Sequence, residues 1–179
     1  MALKRSSEII TVSGRFDNNT GAFAVQQVDL QLNPLDQEVF VVLSCTIDFL
    51  GTSPLPIIAA PAASIPEVQT PIALSVSRPA AQLDNSDSNV FAYANQKARL
   101  AVDGAGNPLS YFMSEQTTDI PDTNLDYIAI IATNDFFVGS TDSANNTGNT
   151  DVAFKVYGYR ARADAATYAA LVQSEVLSS

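Results

Sequence analysis

Apolar and polar residues alternate with period two in short runs, and clusters of Gly, Pro, Asn and Asp cut the runs apart. A half-buried strand requires this pattern, because successive side chains leave it on opposite faces. The runs are SEIITVSGRF, AFAVQQVDLQL, EVFVVLSCTIDFL, PIALSVSR, NVFAYA with QKARLAVD, LSYFMSEQ, DYIAIIAT, NDFFVGS and VAFKVYGYRARA. About nine strands at spacings of roughly 12 to 20 residues predict an all-β chain, a sandwich or a barrel.

Several runs carry finer expectations. In Glu38 to Leu50 the alternation predicts Val39, Val41, Leu43, Cys45, Ile47 and Phe49 facing inward, with Phe40, Val42 and Thr46 opposite. In AFAVQQVDLQL, Phe23 and Val25 are out of phase with Val28, Leu30 and Leu32, which suggests a bulge near Gln26 and Gln27. DYIAIIAT is apolar on both faces and reads as a central strand. Residues 51–71 hold Pro54, Pro56, Pro61, Pro66 and Pro71, a density that forbids a helix or a central strand and predicts an Ala-rich loop. Gly104 to Pro108 reads as a turn. The last segment switches period: Asp164 can cap a helix over 164–177, with Tyr168, Leu171, Val172 and Val176 on one face.

The 179 residues suit a single β-sandwich domain preceded by an arm over residues 1–7. Charged residues make up 16% of the chain, so Ser, Thr, Asn, Gln and Ala must cover much of the exterior. Such surfaces desolvate cheaply when neighbours meet. The net charge of −10 argues against direct nucleic-acid binding. Its distribution is uneven: Phe16 to Ser77 holds six acids and no base, whereas Lys4, Arg5, Arg15, Arg160 and Arg162 lie towards the ends. Basic ends could dock on the acidic body of a neighbour. No apolar run approaches a membrane span, and MALKRSSE offers no signal-peptide core. The sequons at Asn18-Asn19-Thr20 and Asn145-Asn146-Thr147 then read as polar turns.

Few chemistries fit this composition. There is no histidine to act as general base or metal ligand. The lone Cys45 excludes an internal disulfide and reads as a buried hydrophobe. No glycine-rich phosphate loop or G-x-S-x-G elbow is present. Asp119, Asp122 and Asp126 crowd one turn and could pair for glycoside hydrolysis, and Asp135, Asp142, Asn145, Asn146, Asn149 and Asp151 offer the oxygens that calcium prefers. The calcium set fits no EF-hand spacing, with Gly148 misplaced for one, and solvated turns are the plainer use of both clusters. Tyr157 and Tyr159 flank Gly158, where a close backbone or ring approach is expected. No catalytic, cofactor or metal residue is assigned, and an enzyme is not expected.

The run KVYGYRAR followed by ADAATYAALVQSE resembles the single jelly-roll capsid proteins of tailless icosahedral viruses of microbes that carry an internal membrane. The resemblance covers about the last fifth of the chain. It implies a jelly-roll-type antiparallel β-sandwich with a short C-terminal α-helix, packing laterally with copies of itself and other virion proteins. The expected role is a capsid protein in the virion, made in the host cytoplasm without a signal peptide. A minor decoration or spike-base protein and a carbohydrate-binding sandwich are the alternatives.

Overall fold

A computed structural model describes residues 3–18, 22–50, 67–102, 108–118, 125–141 and 150–177. Ten strands and one helix follow in order: β1 Lys4–Arg5, β2 Ile10–Asn18, β3 Ala24–Asp29, β4 Glu38–Phe49, β5 Glu67–Ser75, β6 Val90–Val102, β7 Pro108–Thr118, β8 Ala129–Ile131, β9 Asp135–Ser140, β10 Thr150–Arg162 and α1 Ala165–Leu177. They form two antiparallel sheets. In the first, β10 pairs with β1 and β2 on one side and with β4 on the other, and β4 pairs with β8. The second has the order β3-β9-β5-β6-β7.

Without the short β1 and the outermost β7, the orders are β2-β10-β4-β8 and β3-β9-β5-β6. The chain passes from sheet to sheet at nearly every connection, the double Greek key of an eight-stranded jelly roll. The fold is thus all-β, a jelly-roll sandwich closed by a C-terminal helix.

Between the sheets lies a hydrophobic core that includes Phe16, Phe40, Val42, Ile47, Ile72, Leu74, Ile131, Phe136, Val138, Val152, Phe154 and Val156. Edge-to-face contacts thread it: Phe91 meets Phe136 at 5.7 Å between centroids, and Phe136 meets Phe154 at 6.0 Å. This chain of rings crosses from the second sheet to the first.

Strand β4 departs from simple alternation. Phe40 and Val42 face the core, and so do Cys45, Ile47 and Phe49, although the two groups have opposite parity. Tyr157 pairs with Ser44 and Gly158 with Val42, which leaves Leu43 as the extra residue of a bulge. Without that bulge the polar Ser44, Thr46 and Asp48, which are exposed, would turn into the core. The expectation that Val39, Val41 and Leu43 share the core face with Cys45 therefore fails. Val39 and Val41 instead join a second cluster with Ala132, Ala161 and Ala163, on which Tyr168, Leu171 and Val172 of α1 pack.

Other expectations need correction. No bulge interrupts β3, whose six residues pair in unbroken register with β9. Segment DYIAIIAT yields only the three-residue β8, at the edge of its sheet. It is apolar on both faces because Ile131 joins the inter-sheet core while Ile130 packs on the outer cluster. NVFAYA and QKARLAVD are one continuous strand, β6. Residues 67–71 are not loop but the start of β5, where Pro71 pairs opposite Asn95. The rest of the proline-rich stretch, 51–66, and the turn at 104–107 lie outside the described residues.

Candidate assembly surface

The N-terminal segment is fastened to its own body. Lys4 pairs with Arg162 and Arg5 with Ala161, which extends the edge of β10 beyond the end of β2. The amides of Ser6 and Ser7 donate to the Arg160 carbonyl at 2.8 and 3.3 Å, and the Arg160 amide donates to Ser7 Oγ at 2.8 Å. The Arg5 guanidinium stands 4.9 Å from the centroid of the Tyr159 ring. Lys4 to Ser7 thus form an intramolecular strand and its continuation, not a free arm, because the overhang of β10 offers unpaired backbone groups within reach.

The basic far end also finds partners within the chain. Arg162 lies 3.5 Å from Asp36, and Arg160 lies 3.8 Å from Glu38. Arg160 also donates to the Leu30 carbonyl at 3.1 Å. Arg15 grips the buried Asp151 with two nitrogens, its Nε donating to Oδ1 at 2.6 Å. Arg15, Arg160 and Arg162, expected to meet the acids of a neighbour, thus meet acids of their own chain.

Helix α1 closes the outer face of the first sheet. Asp164 caps it, accepting from the Thr167 amide at 2.9 Å and the Thr167 hydroxyl at 2.8 Å. These bonds hold the Asp164 carboxyl below the usual carboxylate range. One turn from the other end, buried Glu175 accepts from the amides of Ala132 and Thr133, each at 2.8 Å. Those amides directly follow β8, so the carboxylate terminates an edge strand that has no further strand beside it among the described residues. The inward stripe of α1 is Tyr168, Leu171, Val172 and Glu175, while Val176 is 60% exposed. The apolar stripe expected through Val176 thus ends in a carboxylate. The spacing of three and four residues from Leu171 and Val172 marks position 175, but an acid there does not read as buried.

Several apolar side chains remain exposed. Leu35 is 92% exposed on the turn between β3 and β4. That turn is tightly built: Asn33 Oδ1 accepts from the Leu35 amide at 3.1 Å, Asn33 Nδ2 donates to Asp36 at 2.7 Å, and Gln37 closes it in the left-handed conformation with φ 54°. Ile9, Leu125, Tyr127, Val176 and Leu177 are also exposed. Between α1 and β8 runs a groove of about 240 Å³, lined by Val76, Phe91, Ile128, Ile130, Leu171 and Glu175 among others.

The residues weighed for chemistry are dispersed. Asp126 is exposed ahead of β8, Asp135 opens β9 and accepts from Gln27, and Asp151 is held by Arg15. Asp119, Asp122, Asp142, Asn145, Asn146 and Asn149 lie outside the described residues. Among the described residues no three acidic, cysteine or histidine side chains cluster as a metal site would need. Cys45 is half-buried in the core wall, and burial pushes its thiol up to about 12. At Gly158 the expected close approach is made by the Phe40 ring and the Val41 carbonyl. Among the described residues no helix is long and apolar enough to cross a membrane.

These features define a jelly-roll protein whose two ends are clasped to one sheet. The chain matches no family model and no curated protein. Solved structures with a similar outline include Merkel cell polyomavirus VP1 in complex with GD1a oligosaccharide, at 11% identity and a TM-score of 0.48, over 92% of this chain and 99% of that one. The unassembled pentamer of the same VP1 gives 11% and 0.47, over 92% and 100% of the two chains. Trichodysplasia spinulosa-associated polyomavirus VP1 gives 9% and 0.45, over 90% and 97%. At these values the likeness assigns no role to this chain.

Proposed function

We propose that this chain is a shell-forming structural protein, a viral capsid protein that acts by self-association and without catalysis. The observation that carries the reading is the double Greek-key order of its strands, an architecture used by capsid and lectin domains. Of these two uses, the surface favours the first. Leu35 is held almost fully exposed on a braced turn, and Leu125, Val176 and Leu177 are exposed as well. An apolar group held on such a turn contributes when a second protein covers it. Low charge density keeps the cost of that contact small.

In this reading the partners are copies of the chain and other virion proteins, and the place is the virion. A body of net charge −10 is unsuited to gripping nucleic acid directly. Size-exclusion chromatography with light scattering, followed by negative-stain microscopy of the large fraction, tests the proposal. Closed particles or their regular subassemblies are expected. A monomer at every concentration and salt level, with or without the other virion proteins, overturns it.

A further inference from the structure

Each sheet of a sandwich has two edges, and an open edge is a row of backbone donors and acceptors ready to pair. Three of the four edges here carry a recognisable guard. β8 is three residues long, and Glu175 takes the two amides that follow it. β2 carries Gly14, Arg15 and Asp17, and β3 is short, with Gln26, Gln27 and Asp29 exposed. Charges, polar side chains and shortness all discourage edge pairing.

The fourth edge differs. β7 runs for eleven residues and, among the described residues, is hydrogen-bonded to β6 alone. It lies outside the eight strands of the jelly roll, so the fold does not need it to close a Greek key. Its sequence, PLSYFMSEQTT, has one charged residue, Glu115, and its proline stands at the first position, where it breaks no central pairing.

We propose that β7 pairs antiparallel with β7 of a second copy about a two-fold axis, joining two five-stranded sheets into one. The orientation follows from topology. Every neighbour in β3-β9-β5-β6-β7 is antiparallel, so β3 and β7 point the same way. Extending the sheet head-to-tail from β7 to the β3 of another copy would give a parallel pair, the less stable kind per residue. The two-fold arrangement gives an antiparallel pair and a self-complementary contact. It also suits the charges: centred on Met113, the register sets Glu115 opposite Tyr111 and Phe112 opposite Ser114, so the two Glu115 positions are not opposite each other. The inference deepens the self-association reading and rests on it only in taking a second copy as the partner.

Disulfide trapping in the full chain tests this. In a Cys45→Ser background, single cysteines are placed at Tyr111, Phe112, Met113 and Ser114, and at Gln26 on β3 as the rival edge. Oxidation is expected to link dimers through one or two of the β7 positions and not through mixtures of β7 and β3 variants. Links found only in those mixtures, or at no β7 position, overturn the pairing. A second measurement uses Phe112→Pro and Met113→Pro, since neighbouring amides of an edge strand point alternately inward and outward. One variant is expected to stay folded and weaken dimerisation by about tenfold or more, the scale of one lost hydrogen bond. Microscopy of the same samples reads the shell separately. Linked dimers without particles leave the pairing intact and sink the shell reading, whereas particles without β7 links sink the pairing alone.

Discussion

The ring of Phe40 occupies the space that a side chain on Gly158 would need. A β-carbon built on Gly158 comes within 2.6 Å of Phe40 Cζ and 2.8 Å of its Cε1, and closer still to the Val41 carbonyl oxygen. The contact sits beside the β4 bulge, where β10 passes from pairing with Ser44 to pairing with Val42. The glycine is thus the space in which a core ring is seated.

Replacing Gly158 by Val is expected to destabilise the protein by about 2 kcal/mol, in the range for overpacked cores. That corresponds to a Tm loss of roughly 4–8 °C at this chain length. An unchanged melting curve would mean that the Phe40 ring moves aside freely, contrary to its fully buried position.

Removing the clasp at Glu175 tests the outer layer. Glu175→Gln keeps one acceptor oxygen but turns a donor toward the second amide, so a loss of about 1–3 kcal/mol is expected, the cost of a buried group left unpaired. Amide exchange at Ala132 and Thr133 should accelerate first. Equal exchange in the variant and the parent would show that the carboxylate is dispensable.

Cys45 should be nearly inert to thiol reagents while the protein is folded. With its thiol at about 12, only about one molecule in ten thousand carries the thiolate at pH 8. The rate should climb tenfold per pH unit and jump on denaturation. Since the folded value lies above the ordinary 9.0, this group's contribution to stability is intact below about pH 9 and is lost as pH rises towards 12. Fast labelling at pH 7 would contradict the placement.

Asp164 predicts the opposite trend at the acid end. Its carboxyl is held down by the bonds from Thr167, so its contribution is present above the ordinary 3.8 and is lost as pH falls through the lower folded value. Helix α1 should loosen below about pH 4, and Asp164→Asn should flatten that dependence. Circular dichroism of the two proteins through an acid titration measures it.

Strand content, the terminal helix and the tight spot at Gly158 were legible because they depend on local rules: alternation, capping and the missing side chain. The burial of Val39 and Val41 beneath α1 was not, since it needs a layer supplied from the far end of the chain. The bulge at Leu43 was hidden by five consecutive apolar residues, Val39 to Leu43, which admit either phase. For the surface, the basic residues at both ends were visible, but their partners Asp36, Glu38 and Asp151 were not, because a charge run does not say whose acids it will meet. Buried Glu175 was illegible for a related reason: nothing nearby in sequence announces the amides of Ala132 and Thr133.

The bulge in β4 also sets an order of events. Its second half finds its apolar partners in the inter-sheet core, whereas Val39 and Val41 face outward and wait for Ala161 and Leu171, about 120 residues later in the chain. A growing polypeptide therefore carries a sticky stripe until those residues have been made, and the arrival of α1 covers it. Under the self-association proposed above, this delay separates two kinds of contact. Premature association would use the stripe meant for the helix, and orderly association becomes available only to chains whose α1 has docked.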